Sequence, residues 1–206
     1  MQKVVSLVPL LILGSVWIHH VALETLSLIQ EDFDLDRFMG KWFELTVAST
    51  CPYYLQRKRA NPVILALQMQ HVASGSNFTL MSTTFRDGSC KTSSVDYALT
   101  DTPGRFFHHV ARFEADVDSY VVETDYDEYA LLFQLSTEKP SGNVTRIVKL
   151  YSRTVDVSRP SVLDDFNALV RQHGMGDDAV VVNHIKGECP PASTSQSQVP
   201  ESKMAS

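Results

Sequence analysis

Apolar and polar positions alternate with a period of two along most of this chain, the signature of half-buried strands. The pattern begins after a short helical or turn-like lead-in, where Phe33, Leu35 and Phe38 are separated by Asp34, Asp36 and Arg37. Gly40 breaks that lead-in, and Trp42 to Ser49 reads as a strand that ends before Cys51-Pro52, because proline cannot donate to a sheet ladder. Pro52 to Asn61, with Gln56-Arg57-Lys58-Arg59, is polar and bounded by prolines, and reads as a long loop. Seven further strands follow: Val63–Val72, Asn77–Phe85, Cys90–Leu99, Arg105–Phe113, Ser119–Thr124, Tyr129–Leu135 and Val144–Arg153. Turn residues such as Gly75-Ser76, Asp87-Gly88 and Pro103-Gly104 separate several of them. One helix is predicted after Pro160, capped by Ser161, with Val162, Leu163, Phe166, Leu169 and Val170 on one face and Gly174 at its end. Ala179–Val182 is a short last strand.

Eight short strands and a single helix predict an all-β fold. A barrel is favoured over a sandwich because one helix cannot cover two sheet edges, whereas closure removes edges altogether. The expected architecture is an eight-stranded antiparallel up-and-down barrel with one C-terminal α-helix. Such a barrel has room for one small guest, and the alternation predicts a mostly apolar and aromatic interior suited to a lipophilic one.

The first residues change the picture of where the chain works. Lys3 precedes an apolar run from Val4 to Leu13, too short to span a bilayer, so residues 1–22 read as a signal peptide, with a retained anchor as the alternative. The domain then runs from 29 to 190, and 191–206, rich in Ser, Pro and Gln, reads as a disordered tail. Without residues 1–22 the chain carries 17 basic and 24 acidic side chains, a net charge of −7. That balance disfavours nucleic acid and suits a secreted, extracellular protein with no membrane span. Sequons at Asn77 and Asn143 fit a glycoprotein.

Three cysteines, Cys51, Cys90 and Cys189, allow three pairings with one thiol left over. Pairing Cys90 with Cys189 would tether the tail and close a long loop, stabilising by roughly 4–5 kcal/mol. His108 and His109 are adjacent on a strand and face opposite ways, so at most one enters the barrel. No histidine spacing suggests a metal site, and no Ser-His-Asp set or phosphate loop is present. No cofactor is required.

Three elements in order carry a family resemblance: Gly40-Lys41-Trp42 at the first strand, Thr124-Asp125-Tyr126 after the sixth, and Arg153 after the eighth. Together they resemble the signature of lipocalins, in which the Trp closes the barrel floor and the Arg stacks on it. Ser49-Thr50-Cys51-Pro52, the run Ser119 to Ala130, Lys149-Leu150-Tyr151 and Gly187-Glu188-Cys189 resemble the alpha-1-microglobulin group of that family. The resemblance spans Ile29 to Pro190. It implies a Cys90–Cys189 disulfide, a free reactive thiol at Cys51, and a plasma protein that binds haem or small lipophilic molecules and scavenges radicals. Members of the group are made joined to bikunin, a tandem Kunitz inhibitor. No basic run or cysteine-rich segment follows Cys189 here, so the expectation is a lipocalin without the bikunin part. Of the lysines the group carries near its pocket, Lys149 is in place, Val110 replaces one, and only Lys139 lies near Ser136 where another is expected.

Cys51 is thus the candidate redox residue, and Cys51 with Lys149 the candidate ligand contacts. Arg57, Lys58 and Arg59 would favour its thiolate; the bland alternative is an exposed cysteine capped by a small thiol. Three readings follow: a binding protein for a haem or retinoid-like guest, a Cys51-dependent reductase or isomerase, and a protein disulfide-linked to a plasma partner through Cys51.

Overall fold

The computed structural model describes residues 29–73, 75–156, 159–186 and 189. The signal peptide read at 1–22 and the tail read at 191–206 lie outside them. The lead-in is a short helix, α1 (Leu35–Phe38), whose N-cap Asp34 accepts from the Arg37 amide. Then come β1 (Gly40–Ser49), helix α2 (Pro52–Ala60), β2 (Leu65–His71), β3 (Asn77–Arg86), β4 (Ser89–Leu99), β5 (Arg105–Val110), β6 (Ala115–Thr124), β7 (Tyr129–Glu138), β8 (Val144–Ser152), helix α3 (Pro160–Gln172) and β9 (Val180–Val182).

Strands β1 to β8 pair antiparallel with their sequence neighbours, and β8 returns to β1, closing the barrel. β1 is the shared strand. Its first half pairs with β2 from Gly40 to Glu44, and its second half with β9 from Thr46 to Ala48. A bulge at Leu45, between Glu44 and Thr46 on the β8 side, lets the strand bend from one partner to the other. β4 follows β3 over its full length but meets β5 only at Ala98 and Leu99, so the wall is least closed there.

The floor is sealed by the three signature elements. Trp42 is fully buried and donates from Nε1 to the Phe38 carbonyl at 2.8 Å. The Arg153 guanidinium lies 3.6 Å above the Trp42 ring and donates to the carbonyls of Tyr126 (2.8 Å), Lys41 (2.8 Å) and Arg37 (2.9 Å). Gly40 has φ +98°, a backbone conformation that side-chain-bearing residues rarely adopt, and it lies against Arg153 Nη1. The Thr124 hydroxyl bridges the Tyr126 amide and the Tyr129 carbonyl, and the Tyr126 hydroxyl accepts from the Asp34 amide at 2.9 Å. One interlocked set of bonds therefore ties lead-in, β1, the β6–β7 turn and the end of β8.

Three expectations are corrected. Residues 52–60 form a helix and not a loop. Pro52 sits in its first turn, where a missing N–H costs nothing, and Tyr54, Leu55 and Lys58 share its inward face. α3 has Arg159 at its N-cap with no side-chain bond, so Ser161 is not the cap. Leu163 is 40% exposed, while Val162, Phe166, Leu169 and Val170 pack in one core cluster with Phe133, Val148 and Leu150 of the barrel wall.

Cys90 and Cys189 are joined, with Cα atoms 5.6 Å apart, and Cys51 is the free cysteine. Asn143 lies exposed in the β7–β8 turn, and Asn77 is half-buried at the start of β3.

Candidate functional site

The barrel interior changes character from floor to mouth. Its lower third is filled by Phe38, Trp42, Met69, Phe78, Phe106 and Leu132, which pack as one cluster. Phe78 stacks on Tyr97 at 5.1 Å and meets Phe106 edge-on at 4.9 Å. The gap left among these rings is only about 10 Å³, so this level offers a guest no room.

Above it lies a buried charged layer that alternation did not reveal. Glu44 of β1 is 2% exposed. Its Oε2 is 3.2 Å from Lys149 Nζ of β8, and its Oε1 pairs with Lys58 Nζ of α2. The buried Asn183 amide donates to the Glu44 carbonyl at 2.9 Å. Burial works against ionisation of the Glu44 carboxyl, but Lys149 and Lys58 outweigh it and hold the group down at about 2. Burial also opposes the charge on Lys149, yet the Glu44 carboxylate beside it keeps it well above its ordinary value. Burial raises the Tyr151, Tyr54 and Tyr97 phenols, so they remain neutral polar groups around the ammonium. Gln134 donates to Ser119 at 2.7 Å at the same level. The interior is therefore mixed and not mostly apolar.

At the mouth, α2 lies across the open end. Cys51 is its N-cap, with no side-chain capping bond, so the thiol is not spent on the helix. The Cys51 amide donates to Ser49 Oγ at 3.1 Å and its carbonyl accepts from Leu55 at 3.1 Å, which fixes the backbone beneath the sulfur. A cavity of about 130 Å³ opens beside it, lined chiefly by Cys51, Tyr54, Arg57, Val110, Ser136 and Ile147. Val110 and Ser136, the positions where the resembled group carries or neighbours lysines, thus face the same hollow as Cys51. Lys149 does not line it: it sits deeper, engaged with Glu44. Of the three cations that follow Cys51, Lys58 is tied to Glu44 and Arg59 to the Asp178 carbonyl, which leaves Arg57 in the cavity wall.

His108 points inward, its ring 4.4 Å from Tyr97, and its Nδ1 has no partner. Burial, then Lys149 and His109, lower it to about 4. His109 faces out and pairs with Asp116 at 2.8 Å. No group of three metal-ligating side chains occurs among the described residues, and none of their helices is long and apolar enough to cross a membrane.

Glu44 and Lys58 escaped the sequence reading. A signal existed for Glu44, which shares the parity of Trp42 along β1 and must face inward. Lys58 became legible only with α2 recognised as a helix, and Cys51-Pro52 was the available cue.

Several known proteins are similar to this chain in sequence or fold. Residues 39–186 match the model of the "Lipocalin / cytosolic fatty-acid binding protein family". Protein AMBP of Pleuronectes platessa is 44% identical over 93% of this chain and 54% of its own length. Protein AMBP of Rattus norvegicus is 36% identical over 79% of this chain and 46% of its own length. The chain thus spans about half the length of these curated relatives. Prostaglandin-H2 D-isomerase of Felis catus is 31% identical over 74% of this chain and 78% of its own. A solved structure of the siderocalin Ex-FABP has the same fold, with a TM-score of 0.60 at 22% identity over 74% of this chain and 97% of that one. With the family match covering most of the described barrel, this chain belongs to the lipocalin / cytosolic fatty-acid binding protein family.

Proposed function

We propose that this chain is a secreted lipocalin that binds one small hydrophobic molecule, haem or a retinoid-like compound, at the mouth of its barrel, with Cys51 as a redox or covalent handle for the guest. The observation that carries the reading is the free Cys51 thiol in the wall of a largely apolar cavity beside α2. The relationship to Protein AMBP supports the same reading, as do the sequons at Asn77 and Asn143 for an extracellular glycoprotein.

The cavity of about 130 Å³ is smaller than the ~300–1,000 Å³ usual for small-molecule sites. The guest therefore enters as α2 lifts, and Lys58–Glu44 is the contact that lifting breaks. Titration of the protein with haemin and with a retinoid, followed by absorbance and intrinsic fluorescence, tests this. Saturation at one guest per chain is expected, with a Cys51→Ser variant still binding but forming no thiol adduct. Absence of saturable binding to either guest overturns it.

A second reading is favoured by the same thiol and by the relative named Prostaglandin-H2 D-isomerase: a Cys51-dependent reductase or isomerase. Multiple turnovers that vanish in Cys51→Ser would establish it, and a single stoichiometric reaction would exclude it. A disulfide-linked plasma partner is the third, read out as a high-mass band on non-reducing gels.

A further inference from the structure

The ends of the barrel differ in charge. In the described connections at the mouth (50–64, 87–88, 111–114, 139–143 and 173–179) five side chains are basic, Arg57, Lys58, Arg59, Arg112 and Lys139, against Asp87, Glu114, Asp177 and Asp178. Lys58 is committed to Glu44, Lys139 to Asp116 and Arg59 to the Asp178 carbonyl, which leaves Arg57 and Arg112 as the cations that stand over exposed rings. At the floor, in the described residues of 29–39, 72–76, 100–104, 125–128 and 153–159, the balance is nine acidic against three basic. The excess of acidic residues in the chain is thus concentrated away from the mouth.

Exposed aromatic rings follow the same division. Among the described residues the large aromatic side chains that stand exposed are Tyr53, at 55%, and Phe113, at 46%. Both line the mouth cavity. Each lies beneath an arginine, Arg57 at 5.8 Å from the Tyr53 ring centre and Arg112 at 5.4 Å from that of Phe113. Tyr53 comes from α2 and Phe113 from the β5–β6 connection, so two separate segments present the same pair of groups on either side of one opening. An aromatic ring that leaves its apolar body exposed beside a guanidinium costs solvation in water. At a lipid–water boundary the ring enters the headgroup layer and the cation meets anionic phosphate or carboxylate.

We infer that the mouth of this barrel docks on an anionic bilayer surface through Tyr53–Arg57 and Phe113–Arg112, floor outward, which sets the guest entrance against the lipid. The acidic floor and net-negative chain oppose any other orientation on such a surface. Docking and guest entry share one opening, since Tyr53, Arg57 and Phe113 also line the cavity proposed for the guest, and vesicle binding by the guest-free protein reads docking alone.

The test is co-sedimentation of the intact protein with vesicles of phosphatidylcholine alone and with about 30% phosphatidylserine, at low and at 0.5 M salt (roughly, a Debye length of 10 Å against about 4 Å). Binding is expected only with phosphatidylserine, lost at high salt, and weakened about tenfold or more by R57E/R112E, since each cation contributes a factor of about five. Y53S/F113S should weaken it as well, and a Phe113→Trp variant should show a blue-shifted emission on these vesicles. Because a glycan on Asn143 would stand at the same rim, Asn143→Gln is run in parallel and should bind at least as well. Unchanged far-ultraviolet dichroism keeps each variant interpretable. Equal affinity of R57E/R112E, equal binding to neutral vesicles, or capture by an acidic polypeptide with no vesicle binding would each overturn the proposal.

Discussion

Glu44 is the residue on which the interior depends. It neutralises one of the two buried lysines, and its removal leaves Lys58 and Lys149 uncompensated within the barrel. Glu44→Gln is expected to destabilise by about 3–5 kcal/mol, because breaking a buried pair strands a charge. Glu44→Gln combined with Lys149→Met should recover much of that loss, measured as the urea midpoint. Acid acts on the same site. The Glu44 carboxyl ionises at about 2 in the folded protein, against 4.5 for an ordinary exposed glutamate. Its contribution is therefore complete above about 4.5 and lost as pH falls towards 2. His108 is held neutral down to about 4 against an ordinary 6.5, so its contribution is complete above 6.5 and lost as pH falls from there to 4. Both effects lower stability on acidification, His108 first. Each group steepens the dependence by at most about 1.4 kcal/mol per pH unit. Chemical denaturation at pH 7, 5 and 3 should show a progressive fall that a His108→Phe variant flattens between 6.5 and 4.

At the scale of elements, the proposed guest entry depends on α2. Its outer face is charged and its inner face carries Tyr54, Leu55 and Lys58. Lys58→Met leaves Glu44 paired with Lys149 and removes one of the two polar contacts that hold the helix over the mouth, the other being Arg59 to the Asp178 carbonyl. The expected result is faster guest association by about tenfold in stopped flow with little change in melting temperature; an unchanged rate would place the entrance elsewhere, such as the weak β4–β5 seam. This is also where the sequence was least legible. Strand alternation was plain where a strand has one buried face; β4, exposed from Ser89 to Ser94, was marked instead by its Thr, Ser, Val and Tyr content and the turns that flank it. The inward face of α2 holds a tyrosine and a lysine in place of an apolar stripe, so only Cys51-Pro52 marked the helix. At α3 the apolar stripe was legible but its edge was not: Leu163 lies one step round the helix from the residues that meet Phe133 and Leu150.

Across the whole molecule the architecture separates a densely bonded floor from a mouth that holds the cavity beside Cys51. Arg153 secures the floor through three carbonyls and the Trp42 ring. Arg153→Lys should cost about 1–3 kcal/mol, since an ammonium cannot reproduce the planar fork, and thermal unfolding would report it. The Gly40, Trp42, Thr124 to Tyr126 and Arg153 elements were readable as a set because each performs one task in that seal. The guest site was less readable, since Cys51, Val110 and Ser136 come from three distant segments and only closure of the barrel brings them to one cavity. The proposed function requires that this cavity hold a small lipophilic guest within reach of Cys51. Native mass spectrometry of the intact protein from its source tests it most directly. One small-molecule mass per chain is expected, part of it retained on Cys51 after denaturation. A bare polypeptide with an unmodified Cys51, which takes up neither haemin nor a retinoid on incubation, would contradict it.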